Sequence, residues 1–442
     1  MTEQVPLSAE EIVTLSKRHT MYDWQAQAKA MPLPVERAEG VYFYTVGGKR
    51  YLDFNSQLMG VNIGHGDKRV LDEIAKQAAT LPYISPFMAY ETRALLGQKL
   101  AELWPGDMEK SFFTLGGAEA NENAVRMARA FTGRQKILAR YRSYHGATAQ
   151  TIALTGDPRR WGNEHPPLPG VVHVLDPYHG TQRGFDDAPT ALALLRETVE
   201  LEGPSTIAGF ILETVTGTNG ILIPPDGYIQ GVRDLCTEFG ILMIADEIMC
   251  GFGRTGRWFA LDHWNVVPDL MTTAKGLTSS YLPLGAVAIS PQIAEFFQDN
   301  VFWGGLTYNS HPLSCAAALG AIRVIEEDDL VGNSMRRGED LRRHHEELAD
   351  RHPSVGRIRN LGLFGIVELV KSRETMEPLS PFNVTNETMT AINQALLDRG
   401  LFTMIRFNGI MTNPPLSITA EQLEEGFAII DEVLPIADAA IA

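Results

Sequence analysis

The sequence predicts an α/β protein whose larger part is a mostly parallel sheet with helices on both faces. Three observations carry this. Between about residues 110 and 290, short β-rich runs alternate with longer runs that follow the helical period. At 442 residues with 44% apolar composition, the chain is too long for one hydrophobic core and apolar enough to build more than one. Outside that central stretch the pattern changes to hairpin and charged helix, the mark of a second, smaller α+β unit.

Taken in order, residues 41–54 read as two strands, Tyr42, Phe43 and Tyr44 on one side and Tyr51, Leu52 and Phe54 on the other, joined at Gly47 and Gly48. Strands are predicted at 110–115, 171–175, 207–214, 241–245, 270–273 and 285–289, each short and apolar. The spacing of Ala120, Ala124, Met127, Ala128 and Phe131 predicts a helix over 118–131. After 330 come a charged helix at 336–351, strands at 358–361 and 365–370, and a last helix from Ala420. The acids Glu421, Glu424 and Glu425 of that helix read as a solvated face. The pieces around Pro166, Pro167 and Pro169 and over 378–381 read as loops. The expected division is residues 61–329 for the large unit, with 1–60 and 330–442 folding together as the small one.

Charge and cysteine usage narrow the function. With 38 basic against 54 acidic residues the net charge is −16, which argues against nucleic acid or an anionic membrane as partner. Cys236, Cys250 and Cys315 stand singly, so neither a disulfide framework nor a zinc ribbon can be drawn. The start of the chain is acidic where a signal peptide is basic, and no run is long and apolar enough to span a bilayer. A cytoplasmic protein is expected. His65, His145, His263 and His311 lack a second ligand at i+2 or i+4, so no metal site is expected.

Gly251, Gly253 and Gly256 fit the spacing of a dinucleotide loop, but Asp246 and Glu247 interrupt the strand and the residues after Gly256 do not open a helix. Another constellation explains more. Asp246 ends one apolar run and Lys275 follows the next, so both project from the carboxyl edge of one sheet, where α/β folds bind ligands. Asp246 as a turn cap and Lys275 as a solvated lysine are the plainer readings. Against them, Lys275 is the one charge between 270 and 281, and a lysine desolvated there loses its proton readily and attacks carbonyls. Gly116 and Gly117 then make a strand-to-helix turn whose free N–H groups suit an anion. Amine, carboxylate and anion site together fit a cofactor with an aldehyde, a basic ring nitrogen and a phosphate, as in pyridoxal 5'-phosphate.

Residues 246–256 and 268–277 resemble the signature of class III aminotransferases, and the likeness runs from 61–66 through Tyr144, His145 and Gly146 and 307–312 to Pro414, Pro415 and Leu416. The resemblance implies a fold type I pyridoxal-phosphate transferase with a seven-stranded sheet. It makes Lys275 the Schiff-base lysine and Asp246 the acid that keeps the pyridine nitrogen protonated. Tyr144 and Ile248 would cover the two ring faces, with His145 and Glu213 beside them. Gly117 and Ala118 would hold the phosphate, joined by Thr307 from a second subunit, which implies a homodimer, or a tetramer of such dimers. The chain departs from many relatives in having Gly116 and Ala118 in place of serines, Thr214 after Glu213 in place of proline, and Asn309-Ser310 in place of Ser-Gly.

The same resemblance points to a ping-pong transaminase moving an amino group from an amine or omega-amino acid, such as a taurine- or β-alanine-like donor, to a 2-oxo acid, pyruvate first. Arg406 resembles the mobile arginine that takes the acceptor's carboxylate; its plainer reading is a surface ion pair. Thr218 stands where other relatives carry a glutamate opposite that arginine, so Arg406 is expected to lack an acidic partner there. Leu58, Met59, Tyr83, Phe87 and Trp24 are the expected pocket walls. An aminomutase of the glutamate-semialdehyde type and a cofactor-binding sensor without turnover stay open as alternatives.

Overall fold

The computed structural model of the chain describes residues 6–163, 168–178 and 187–441. Seven strands form the large sheet: β1 (Lys110–Thr114), β2 (Lys136–Arg140), β3 (Val171–Val174), β4 (Ile207–Glu213), β5 (Leu242–Asp246), β6 (Leu270–Thr273) and β7 (Gly285–Ile289). Their order across the sheet is β1-β7-β6-β5-β4-β2-β3. Only β7 runs antiparallel to its neighbours; the pairs β6–β5, β5–β4, β4–β2 and β2–β3 are parallel. The sheet is therefore seven-stranded and mostly parallel, as the resemblance implies.

Both faces are covered, which is why the strands are continuous apolar runs rather than alternating ones. Successive side chains still point opposite ways. Ile137, Ala139, Ile211, Ile244 and Leu270 pack under the helix Gly117–Thr132, with its Ala120, Ala124 and Met127. Leu138, Phe210, Leu212, Met243 and Met271 face the other layer. Burying each such side chain stabilises by about 1.5–3 kcal/mol, so the sheet is a rigid platform for whatever stands on its edge.

The six predicted strands appear to within a residue or so. The strand not predicted is β2, because only Ile137, Leu138 and Ala139 separate Lys136 from Arg140. Arg140 is nonetheless buried, its guanidinium donating to the Glu213 carbonyl and to Thr216 Oγ1.

A four-stranded sheet of Val35–Glu39, Tyr42–Thr45, Arg50–Asp53 and Leu401–Phe402 joins the two ends of the chain, the last strand pairing in parallel with Arg50–Asp53. A third sheet is built from Val355–Leu361, Phe364–Ser372, Ile405–Arg406 and Gly409–Thr412, with Glu377–Pro378 pairing at its edge. Pro378 thus belongs to a short strand rather than a loop, at an edge where its missing N–H costs nothing. Pro166 and Pro167 lie outside the described residues, and Pro169 sits in a turn. The charged helix begins earlier than predicted, at Leu330, because Asp329 caps it by accepting from the Gly332 N–H. Glu425 is not simply solvated: it accepts from the Tyr42 hydroxyl (2.8 Å) and from Arg50 (2.6 Å), tying the last long helix, Ala420–Val433, to the hairpin.

The segment with Gly251, Gly253 and Gly256 is a run of turns with no phosphate-binding helix behind it. Its Arg254 is fully buried and donates to the carbonyls of Leu363 (3.0 Å) and Pro414 (2.6 Å), to Ser56 Oγ and to Asn62 Oδ1. The glycines therefore shape a clasp between distant segments. Among the described residues no helix is long and apolar enough to cross a membrane.

Candidate active site

Parallel strands end together, so their carboxyl-terminal residues are neighbours in space. Glu213 at the end of β4 pairs in register with Asp246 at the end of β5, and Asp246 with Thr272 near the end of β6. Lys275 follows two residues after β6, with a left-handed φ of 41° in a short helical turn. The same edge receives Tyr144 and His145 from the loop after β2, and the turn at Gly116 that opens Gly117–Thr132.

Asp246 is buried and held from three directions. Its Oδ2 accepts from Asn121 Nδ2 and lies against His145 Nδ1, both at 2.8 Å, and its Oδ1 accepts from the Ile248 N–H at 3.1 Å. Asn121 is fixed in turn by the Thr272 hydroxyl, which donates to its Oδ1 at 2.7 Å. His145 Nε2 is buried with no hydrogen-bond partner among the described residues. The sequence reading missed Asn121; its signal was a buried polar residue on the apolar face of a helix, one position after Ala120.

Lys275 is desolvated, and burial pushes its pKa down to about 8; the carboxylates of Asp246 and Glu213 pull it back up and the Arg159 charge pushes it further down. Glu213 accepts from the N–H groups of Tyr144 (3.0 Å) and Gly217 (2.8 Å). Burial and the neighbouring charge of Asp246 hold its carboxyl above the usual range. An amine that is partly neutral at physiological pH, beside an anchored carboxylate, is a nucleophile for a carbonyl.

The loops meet closely. A Cβ placed on Gly117 would stand 2.7 Å from Ile248 Cδ1, and one on Gly146 would stand 2.6 Å from the Ala118 Cβ. Ile248 and the Tyr144–Gly146 loop therefore each pack closely against the helix start at Gly117 and Ala118.

Beyond Tyr144 lies a cleft of about 430 Å³ whose walls include Trp24, Tyr144, Arg159, Thr218, Met404 and Arg406. Arg406 is carried by a tight hairpin, since Arg406 pairs with Gly409 and only Phe407 and Asn408 make the turn. It is no surface pair. Its Nη2 lies 3.2 Å from Oδ2 of Asp157, which has no exposed surface. The expectation that Arg406 lacks an acidic partner at Thr218 holds; the acid it does meet comes from another loop. That loop also brings a second guanidinium, Arg159, which the sequence reading missed. Arg159 lies 3.7 Å over the Tyr144 ring, donates to Asp157 (Nε, 2.9 Å) and to Thr218 Oγ1 (2.8 Å), and has the Trp24 ring at 5.2 Å. Two arginines two residues or more from any motif give no periodic signal; only the fold places them together.

The expected pocket walls divide. Trp24 lines this cleft, edge-on to Tyr144 at 6.0 Å. Met59 is buried at 1% exposure in a cluster with Val215 and Met249, and Leu58 is exposed; neither lines the cleft. Tyr83 and Phe87 line a separate crevice of about 530 Å³ with Phe302, Thr307 and Asn309. The Tyr83 hydroxyl donates to the Thr307 carbonyl at 3.0 Å. Within one chain these three residues stand apart from the arginine cleft.

Comparison with known proteins fits this geometry. Residues 24–434 match the family described as aminotransferase class-III. The chain belongs to the class III aminotransferases. It is similar to the putrescine–pyruvate aminotransferase of Pseudomonas aeruginosa (32% identical, covering 91% of this chain and 94% of that one). Among solved structures it is similar to the taurine:2-oxoglutarate aminotransferase of Bifidobacterium kashiwanohense in complex with PLP and glutamate (40% identical, TM-score 0.96, 99% and 100% covered). It is also similar to an (S)-enantioselective omega-transaminase of Thermomicrobium roseum (34%, TM-score 0.92, 98% and 100% covered).

A class III aminotransferase has the type I fold and uses pyridoxal 5'-phosphate. The residues present fit that group. Lys275 offers the amine, Asp246 an anchored carboxylate for a ring nitrogen, and the N-terminus of Gly117–Thr132 the end of a helix that favours a phosphate. When bound, the cofactor supplies an aldehyde that takes up the amino group and a ring that draws electrons from Cα.

Proposed function

We propose that this aminotransferase takes the amino group from a donor bearing an acidic group of its own, a carboxylate or sulfonate as in β-alanine or taurine, and passes it to a 2-oxo acid by a ping-pong mechanism. One observation carries the reading: the guanidiniums of Arg159 and Arg406 converge in the cleft beside Tyr144 with, among the described residues, a single carboxylate between them. The sequence alone points to pyruvate as acceptor. The second guanidinium moves the proposal to 2-oxoglutarate, whose two carboxylates can each meet a planar bidentate donor. The similarity to a taurine:2-oxoglutarate enzyme supports the same choice, and the putrescine–pyruvate relative supports the alternative acceptor.

In this reading Lys275 would hold the cofactor through its aldehyde, and its amine, once freed by substrate, would carry the proton between the substrate Cα and the cofactor's C4′ in each half-reaction. Asp246, steadied by Asn121 and His145, holds the ring nitrogen charged; Tyr144 and Ile248 hold the ring between them. Gly117 and Ala118 hold the phosphate. Thr307, with Tyr83 and Phe87, serves the site of a second subunit, which accounts for their separate crevice and for Phe87 at 93% and Trp303 at 79% exposure in the single chain.

The test is a comparison of half-reactions. Taurine or β-alanine should bleach the holoenzyme with at least about tenfold higher kcat/KM than an uncharged aryl-alkyl amine, since a charge-assisted contact is worth about 1.5–3 kcal/mol. Arg406→Ala should raise KM for both 2-oxo acids about 30-fold or more. A preference for the uncharged amine in the wild type would overturn the reading.

A further inference from the structure

Among the described residues Asp157 is the one carboxylate against which both cleft arginines rest. Its Oδ1 accepts from the Arg159 N–H (2.9 Å), so the acid is fixed by the short turn Pro158–Arg160 that it caps. Its Oδ2 accepts from Arg159 Nε (2.9 Å), Arg406 Nη2 (3.2 Å) and Asn219 Nδ2 (3.3 Å). The two guanidiniums come from opposite sides, one from that turn and one from the hairpin, and meet only through this oxygen.

Among the described residues bonded to one another here, two guanidiniums and one carboxylate leave one positive charge over, and Thr218, which faces Arg159, adds none. Arg406 Nε is buried with no hydrogen-bond partner among the described residues, so the pair is not saturated by the groups described around it. A third cation, Arg142, stands behind the hairpin with its guanidinium 4.5 Å over Phe382 and 5.8 Å from the Phe407 ring centre. An incoming carboxylate or sulfonate must therefore share Arg406 with Asp157 and lie near its charge. Asp157 has no exposed surface, so that repulsion is less screened than between surface charges.

We propose that Asp157 is a positioning residue that sets the preference of this site among substrates with no, one or two acidic groups, by sharing the two arginines. The proposal rests on the reading of Arg159 and Arg406 as the anion-binding end of the site. Its consequence is graded. Without the negative charge at 157, a substrate ammonium with no acid of its own meets two uncompensated cations and binds less well. A monocarboxylate no longer competes for Arg406, and a dicarboxylate gains at both arginines.

Asp157→Asn tests this, because the amide keeps the size while removing the charge, its one oxygen being able to accept from the Arg159 N–H or from the guanidiniums. The expected result is a KM for 2-oxoglutarate that falls more than the KM for pyruvate, raising the ratio of their kcat/KM values at least about tenfold. The kcat/KM for an uncharged aryl-alkyl amine should fall by a similar factor. Thr218→Asp is the opposite perturbation. It adds a second acid beside Arg159 and should lower the 2-oxoglutarate to pyruvate ratio by about tenfold, so the idea stays testable if Asp157→Asn folds poorly. Equal changes for all three substrates in Asp157→Asn would show a merely structural role and overturn the proposal, as would an unmoved ratio in a folded Thr218→Asp. Failure of the underlying reading looks different: Arg159→Leu and Arg406→Ala would then leave the KM of both 2-oxo acids unchanged.

Discussion

Lys275 should capture its cofactor at a pH where an ordinary lysine is inert. A neutral amine is required to attack the aldehyde. With a pKa of about 8, roughly a quarter of Lys275 is neutral at pH 7.5; at the ordinary lysine value the neutral share is about one part in a thousand. Desolvation thus raises the reactive fraction on the order of 200-fold. The assay mixes apoenzyme with pyridoxal phosphate in a stopped-flow spectrometer from pH 6 to 10.5. Dividing by the rate with a free lysine derivative, itself corrected for that amine's neutral fraction at each pH, removes the cofactor's own titration. The protein's rate should climb about tenfold per pH unit below the midpoint and level off near pH 8. Arg159→Leu removes the cation that pushes the amine down, so its midpoint should move up, by on the order of one pH unit or less. A wild-type rate still climbing above pH 10 would show that Lys275 is solvated and would falsify the desolvation argument.

Three further outcomes follow from particular contacts. Because the folded protein holds the Lys275 proton less tightly than the unfolded chain, the apoenzyme should gain stability as pH rises from about 8 toward 10.5, by up to about 3 kcal/mol; urea melts of wild type and Lys275→Met across that range should converge as pH rises. Asn121→Ala removes one donor to Asp246 and leaves the buried Thr272 hydroxyl only its long contact (3.5 Å) to the Ala245 carbonyl, which should cost about 1–3 kcal/mol in thermal stability and weaken cofactor binding, read by equilibrium dialysis. Gly117→Ala places a methyl 2.7 Å from Ile248 Cδ1, so cofactor affinity should drop about tenfold or more for every 1.4 kcal/mol of strain; the double variant with Ile248→Val, which lacks that carbon, should recover most of the loss.

Much of this protein is legible in its residues because the signals are local. The continuous apolar runs of β4 and β5 announce strands buried on both faces, and their parallel arrangement follows from the helices between them. Asp246 and Lys275 are legible for the same reason: a charged residue closing an apolar strand can only stand at the sheet's edge, and the strands on either side share that edge. The anion-friendly turn at Gly116 and Gly117 is written in the glycines themselves.

The rest depends on contacts between residues far apart in sequence. Asp157 and Arg406 are 249 positions apart, on a turn and a hairpin that carry no shared pattern, so a reading of spacing sees Thr218 without an acid and stops there. Asn121 looks like any polar residue on a helix until Asp246 and Thr272 are seen beside it, and Arg140 looks like the end of a loop until its guanidinium is found buried under Glu213. The sequence by itself determined the platform and the chemistry on its rim, because periodicity and strand-end geometry are properties of neighbouring residues. Tertiary structure alone decided the charge of the arginine cleft, because a net of two arginines and one shared carboxylate exists only after loops from three parts of the chain have been folded onto the same edge.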